Sequence, residues 1–181
     1  MINDNVYWYV LFVRTGAEEK IVDQLKDNLG VEGYTPFIPK KSCVFRRQGK
    51  KSVFQKICFP GYVFVESKLP AMEFFGRTFP VVYQIKDAYK FLSYSERGNM
   101  ALREDERVLL NKIFGVDRHI DISTGFKEGD SVKVLSGALV GNEGLIRRIN
   151  KSRQEAILSV PMFNSLISVS VGLEVIEKIN D

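Results

Sequence analysis

Histidine occurs once in this chain, at His119, and cysteine twice, at Cys43 and Cys58. The two cysteines form no CxxC pair, so a four-ligand zinc site built from Cys and His is out of reach. A disulfide scaffold is equally excluded at 181 residues and this cysteine content. No P-loop, GxGxxG or HExxH motif occurs. His119 lies in a polar stretch without a nucleophile and a paired carboxylate, so it builds no catalytic constellation and reads as a surface residue. No apolar run approaches the ~18 residues of a membrane span. Met1 to Asn5 is short, carries an acid and has no basic n-region, so a signal peptide is not expected. These absences point away from an enzyme, a metal site, a cofactor or a membrane anchor. They point towards a chain of a reducing compartment, with the cytoplasm as the expected location and a monomer as the expected state.

What is present is ordinary globular composition, with 45% apolar and 27% charged residues. The formal net charge of +4, from 26 basic and 22 acidic residues, permits a polyanionic partner without requiring one. The placement of the charge is more telling than its sum.

Val6 to Val13, VYWYVLFV, is continuous, aromatic and β-branched, which fits a strand buried on both faces. From Ala17 to Leu29 the apolar residues Ile21, Val22, Leu25 and Leu29 fall on one face of an amphipathic helix, closed by Gly30 and Gly33. Two prolines make Tyr34 to Pro39 extended. Val44–Phe45 and Val53–Phe54 are β-prone pieces around a basic loop, and FPGYVFV, Phe59 to Val65, is a strand entered through a Pro-Gly break. A short helix is expected over Leu69 to Phe75, a strand over Val81 to Ile85 and a helix over Leu102 to Phe114. Gly115 to Gly125 is polar and reads as a linker. Beyond it the helical signal vanishes. Val132–Leu135, Gly144–Ile149, Ala156–Val160, Leu166–Val171 and Leu173–Ile176 make five short β-rich runs within about 55 residues, the pattern of a small barrel. The expected fold is an α+β sandwich followed by a small all-β barrel.

Three segments carry a resemblance to one family. The first is Trp8-Tyr9-Val10 with Gly16 and Glu18 leading into a helix. The second is Phe59-Pro60-Gly61-Tyr62-Val63-Phe64-Val65. The third is Lys127-Glu128-Gly129-Asp130-Ser131-Val132-Lys133-Val134, followed by Gly137, Gly141, Asn142, Glu143, Gly144 and Leu145. The first two resemble the N-terminal domain of the NusG family of transcription elongation factors. The third resembles the KOW motif that follows it. The resemblance implies a polymerase-binding N-terminal domain at 1–115, a flexible linker at 116–125 and an SH3-like KOW barrel at 126–181. It implies RNA polymerase as a partner, and RNA, ribosomal proteins or termination factors as partners of the barrel. It carries no catalytic activity.

Four sets of residues follow as candidates. Trp8, Tyr9, Phe59, Tyr62 and Phe64 are either core aromatics or the polymerase-docking patch that the resemblance implies. Lys40 to Lys56 holds seven basic residues and no acid, with Arg46, Arg47, Lys50 and Lys51 at a hairpin tip that either is merely solvated or meets nucleic-acid phosphates. Lys127 to Asp181 balances seven basic against seven acidic residues, yet Arg147, Arg148, Lys151 and Arg153 crowd into one turn. That cluster is either a polar hairpin loop or a grip for structured RNA, such as a leader hairpin. Phe163 would be a recruiting anchor in the barrel. Family members carry Phe-Gly-Arg there, and Asn164 and Ser165 replace the last two. That departure favours a specialised paralog, similar in size and style to the LoaP antiterminator type, acting by processive antitermination at target operons. The alternatives are a housekeeping NusG, linking transcription to translation or termination, and a KOW protein that binds ribosomal RNA.

Overall fold

The computed structural model describes residues 6–30, 33–94, 99–129 and 131–176. They fall into two compact units. One comprises Met1–Ile38 and Phe59–Arg107, the other Pro39–Cys58 and Val108–Asp181.

The first unit is built on a four-stranded antiparallel sheet in the order β2-β5-β1-β6. These strands are β1 (Tyr7–Val13), β2 (Tyr34–Phe37), β5 (Tyr62–Ser67) and β6 (Ala88–Phe91). Strand alternation gives β1 two different faces. Tyr9, Leu11 and Val13 join Val63 and Val65 in a core completed by helices α1 (Glu18–Leu29) and α2 (Ala71–Val82). Ile21, Val22 and Leu25 supply the apolar stripe of α1, and Phe74 stacks on Tyr9 with ring centroids 3.7 Å apart. The Tyr9 hydroxyl donates to the carbonyl of Leu69 at 2.8 Å. On the opposite face Trp8 meets Phe37 and Phe64 edge-on, and its indole N–H donates to Glu66 at 2.8 Å. The strand is thus buried on both faces over most of its length, as its composition implies.

Helix α2 replaces the expected strand over Val81 to Ile85. It runs on through Pro80 to Val82. Phe74, Thr78 and Val82 are buried at spacings of one turn, so burial along one helix face overrides the β-propensity of the valines. Pro80 sits on the exposed side of the last turn, where the helix ends two residues later. The strand in this region is β6 instead, a short edge strand whose Tyr89 and Lys90 are exposed. Helix α3 (Glu104–Phe114) opens with Glu104, Asp105 and Glu106, acids that suit a helix N-terminus.

The second unit joins a β-hairpin to the C-terminal all-β domain. β3 (Lys40–Arg47) and β4 (Lys50–Ile57) turn through Gln48 and Gly49, both at positive φ, a two-residue primed turn. β7 (His119–Ile120) pairs in parallel with Lys40 and Lys41 of β3. The C-terminal sheet has the order β10-β11-β12-β8-β9. Its strands are β8 (Ser123–Glu128), β9 (Ser131–Ser136), β10 (Ile146–Asn150), β11 (Glu155–Met162) and β12 (Ser165–Ile176).

Two differences from the sequence expectation stand out here. The stretch 116–125 carries β7 and the first half of β8, which is fixed by parallel pairing of Ser123–Phe126 with Leu173–Ile176. The two strands expected on either side of Gly172 are one long strand, β12. Its first part pairs with β11, and from Leu173 onward it pairs with β8. Gly172 marks the hand-over. A Cβ there would lie 2.9 Å from the Ser42 carbonyl oxygen and from Ile122, so the close crossing of β3 over β12 requires glycine.

Candidate functional site

The Pro60-Gly61 turn ahead of β5 is held by a buried carboxylate. Glu18, 1% exposed, accepts the Gly61 amide at Oε1 and the Gly16 amide at Oε2, both at 2.7 Å. Gly61 has φ +86° and its amide faces inward; an added Cβ would approach Thr15 Oγ1 at 3.2 Å. One carboxylate thereby locks the loop after β1 to the loop before β5. The next residue, Tyr62, lies directly opposite Phe12 on β1. Their ring centroids are 5.7 Å apart, and Phe12 in turn lies 5.3 Å from Tyr89 on β6. Three aromatic rings from three adjacent strands thus form a row at one end of the sheet face. Phe12 is 36% and Tyr89 55% exposed, and Tyr62 is half-buried.

The other aromatics singled out from the sequence lie deeper. Trp8, Tyr9, Phe59 and Phe64 are all at most 2% exposed. Phe59 packs edge-on against Phe64 at 5.6 Å. A contact anchor has to be reachable, so these four shape the sheet from within, and Tyr62 alone of the five reaches the surface. The row instead takes in Phe12 and Tyr89, which the sequence reading passed over. Phe12 hid in a run that looks uniformly buried, and Tyr89 lies in a strand without an apolar period.

The basic hairpin divides its charges. Lys41 is buried and donates through Nζ to the Ser170 carbonyl at 2.5 Å and to the Ser170 hydroxyl at 2.7 Å. Lys51 forms an ion pair with Glu174. Lys50 is exposed, and Lys56 lies 5.1 Å above the Phe54 ring. The side chains of Arg46 and Arg47 lie outside the described residues. On the same unit, the Ser42 hydroxyl and His119 Nε2 are 2.7 Å apart, so His119 clasps β7 to β3. Among the described residues no group of three or more His, Cys, Asp or Glu side chains could hold a metal ion.

The third surface lies in the C-terminal sheet. A cleft of about 580 Å³ is rimmed by Lys127, Arg147, Arg148 and Lys151. Arg153 is not part of it. It sits in the β10–β11 turn, where its amide and the Ser152 hydroxyl both donate to the Asn150 side-chain oxygen. The cluster read from the sequence thus separates into three residues at the cleft and one beside it.

The family model described as transcription termination factor nusG matches residues 6–111. The chain belongs to the NusG family. The curated relatives it resembles extend the likeness over nearly all of it. A Thermus thermophilus protein named transcription termination/antitermination protein NusG is 26% identical over 96% of this chain and 99% of its own. A Borreliella burgdorferi protein of the same name is 26% identical over 95% and 98%. One from Streptococcus pyogenes serotype M1 is 29% identical over 92% of each. Among solved structures, one described as domain interaction in Thermotoga maritima NusG has the same fold. Its TM-score is 0.54 at 24% identity, covering 92% of this chain and 93% of that one. The names of these relatives are those of transcription factors and not of enzymes. An α/β N-terminal part followed by an all-β domain is therefore the fold of this NusG-family chain, as the sequence implies.

One position departs from what the resemblance implies for the C-terminal domain. Phe163 was expected as an exposed anchor, but it is only 9% exposed. Met162 pairs with Ser165, leaving Phe163 and Asn164 as a two-residue turn with φ of 52° and 59°. Such a primed turn is the usual link between twisted antiparallel strands, and here it leaves the Phe163 ring covered. The neighbouring apolar side chain that does reach solvent is Leu166, 64% exposed.

Proposed function

We propose that this chain is a transcription termination/antitermination factor that binds RNA polymerase through the aromatic row Phe12–Tyr62–Tyr89 and binds RNA through its C-terminal all-β domain. The observation that carries the first half is the row itself: three packed rings, their turn held by the Glu18 lock, that reach the surface at one end of a sheet in which Trp8, Tyr9 and Phe64 are buried. Aromatic side chains with one face bound and one face free are the usual energetic anchors of protein interfaces. The second half is supported by the four cations at the cleft of a domain with balanced charge. On this reading the factor is a specialised paralog of the LoaP type. It rides on polymerase from a leader RNA into the target operon and suppresses termination there. The basic hairpin adds salt-sensitive contacts to nearby phosphates through the exposed Lys50.

Binding of the full chain to purified bacterial RNA polymerase tests the first half. Tyr62→Ala and Tyr89→Ala each weaken it by about 1–4 kcal/mol if the rings are anchors. Unchanged affinity in folded variants removes the row from the interface. A second reading, the general NusG that links transcription to translation or termination, is favoured by the names and full-length cover of the relatives. It gains ground if the chain binds ribosomal or termination proteins and no RNA.

A further inference from the structure

We propose that the cleft between the two edge strands of the C-terminal sheet is a site for one unpaired nucleotide of an RNA. Its phosphate would lie against Arg147, Arg148 and Lys127, and its base against an aliphatic floor. This rests on the reading that the all-β domain binds RNA, and it says which part of the RNA is gripped.

The argument begins with a departure from strand geometry. Side chains alternate along a regular strand, so consecutive residues cannot serve one face. Yet Ile146, Arg147, Arg148 and Ile149 all line the same cleft. A β-bulge accounts for the arginine pair: Ile146 is opposite Leu158 and Arg148 is opposite Ile157, which leaves Arg147 as the extra residue. The bulge turns two adjacent guanidinium groups to one mouth, although like charges so placed repel each other. An anion between them removes that repulsion, and arginine forks suit the oxygens of a phosphate.

The floor speaks to the rest of the ligand. β10 and β9 are the two edges of the sheet, and both contribute to the cleft. Ile146 and Ile149 come from one edge, Val132 from the other, and Val175 from the end of β12. Ile146, Ile149 and Val175 are half-buried, so the cleft presents apolar surface to water beneath a cationic rim. A bare phosphate has no use for that surface; a nucleobase has. Its volume lies within the range of sites that enclose small ligands. Glu143 is the one carboxylate in the described lining, placed to accept from an exocyclic amine of a base. A base paired within an A-form stem cannot enter such a cleft, whereas one splayed from a loop or bulge can. An extended acidic peptide is the competing occupant. Strand addition needs a regular row of edge amides, which the bulge interrupts.

The test uses the full chain and three RNAs with the same stem: a hairpin with a four-adenosine loop, the same hairpin with abasic loop positions, and a blunt duplex. The adenosine loop binds about tenfold more tightly than either of the others. Ile149→Thr, which keeps the β-branch, reduces that preference to about twofold and leaves duplex binding unchanged. Equal binding of all three RNAs, with Ile149→Thr silent, overturns the nucleotide site and leaves a phosphate patch. Displacement of the adenosine hairpin by a deca-glutamate peptide at equal concentration overturns it in favour of a peptide. Failure to bind any of the three RNAs overturns the RNA reading itself.

Discussion

Glu18 is a carboxylate with almost no access to water, and both of its oxygens are taken by backbone amides. Hydrogen bonds to a charged group are among the stronger contributions to stability, and an orphaned buried amide is costly. Glu18→Ala should therefore lower stability by about 2–4 kcal/mol in urea denaturation. If the aromatic row is the polymerase contact proposed above, the same variant should also weaken that binding, because the turn before Tyr62 loses its lock. A variant as stable as the parent would show that water replaces the carboxylate. Cys58 makes a different residue-scale point. Burial pushes its thiol up to about 12, with Lys41 opposing and Cys43 adding to the rise. The unfolded thiol ionises near 8.5. The native state thus holds its proton over a window in which the unfolded state has lost it, so this group's stabilising contribution is intact below pH ~8.5 and fades as pH rises towards 12. At pH 8 the folded protein should leave Cys58 unmodified by iodoacetamide while the urea-unfolded protein is alkylated there. Rapid modification of the folded chain would contradict that burial.

Elements were legible where the period was local and strong. Helix α1 shows its stripe in the sequence because Ile21, Val22 and Leu25 all point at one core. The basic hairpin shows itself because Gln48-Gly49 is a turn by its own chemistry. Helix α2 showed only its first turns, expected over Leu69 to Phe75, since Val81 and Val82 favour a strand until Phe74 and Thr78 are known to be buried with them. β8 was hidden for the opposite reason. Ser123 to Glu128 is polar and glycine-bearing, and it is a strand because β9 pairs with it on one side and a segment some fifty residues later on the other. The seam where β3 crosses β12 is of the same non-local kind. Gly172→Ala would force the Cβ against the Ser42 carbonyl, so it should cost about 1–3 kcal/mol in thermal or chemical unfolding. If Gly172→Ala leaves the midpoint where it was, the crossing is looser than described.

At the scale of the whole molecule, the fold class was readable and the site only in outline. Composition and element order gave two kinds of domain. The basic cluster at Arg147, Arg148 and Lys151 was visible as charge, but its cleft depends on a bulge that no spacing announces. The aromatic patch was visible as aromatic content, yet most of those rings turned out to be interior. The C-terminal domain also has a definite start. Ser123 pairs with Leu173, and its hydroxyl accepts the Leu139 amide at 3.1 Å. A fragment beginning at residue 118 should therefore melt cooperatively, whereas one beginning at 126 loses half of β8 and should melt lower or without cooperativity. Equal melting of the two fragments would mean that the parallel pairing adds nothing.

The division into units has a consequence for how the chain is made. The polypeptide passes from one unit to the other three times, after Ile38, after Cys58 and after Arg107. The basic hairpin leaves the ribosome early, but β7 follows about sixty residues later and β12, the last of its partners in the second unit, only after roughly a hundred. At 5–20 residues per second that is a wait on the order of ten seconds. During that time the open edge and the side chains of Lys41, Ser42 and Cys43, buried in the folded chain, have no seam to join, and the exposed Phe45, Val53 and Phe54 add apolar surface beside them. The hairpin is then a nascent segment in search of company, and the lysines and arginines spaced along it are what keep it apart from other chains until the last strand arrives.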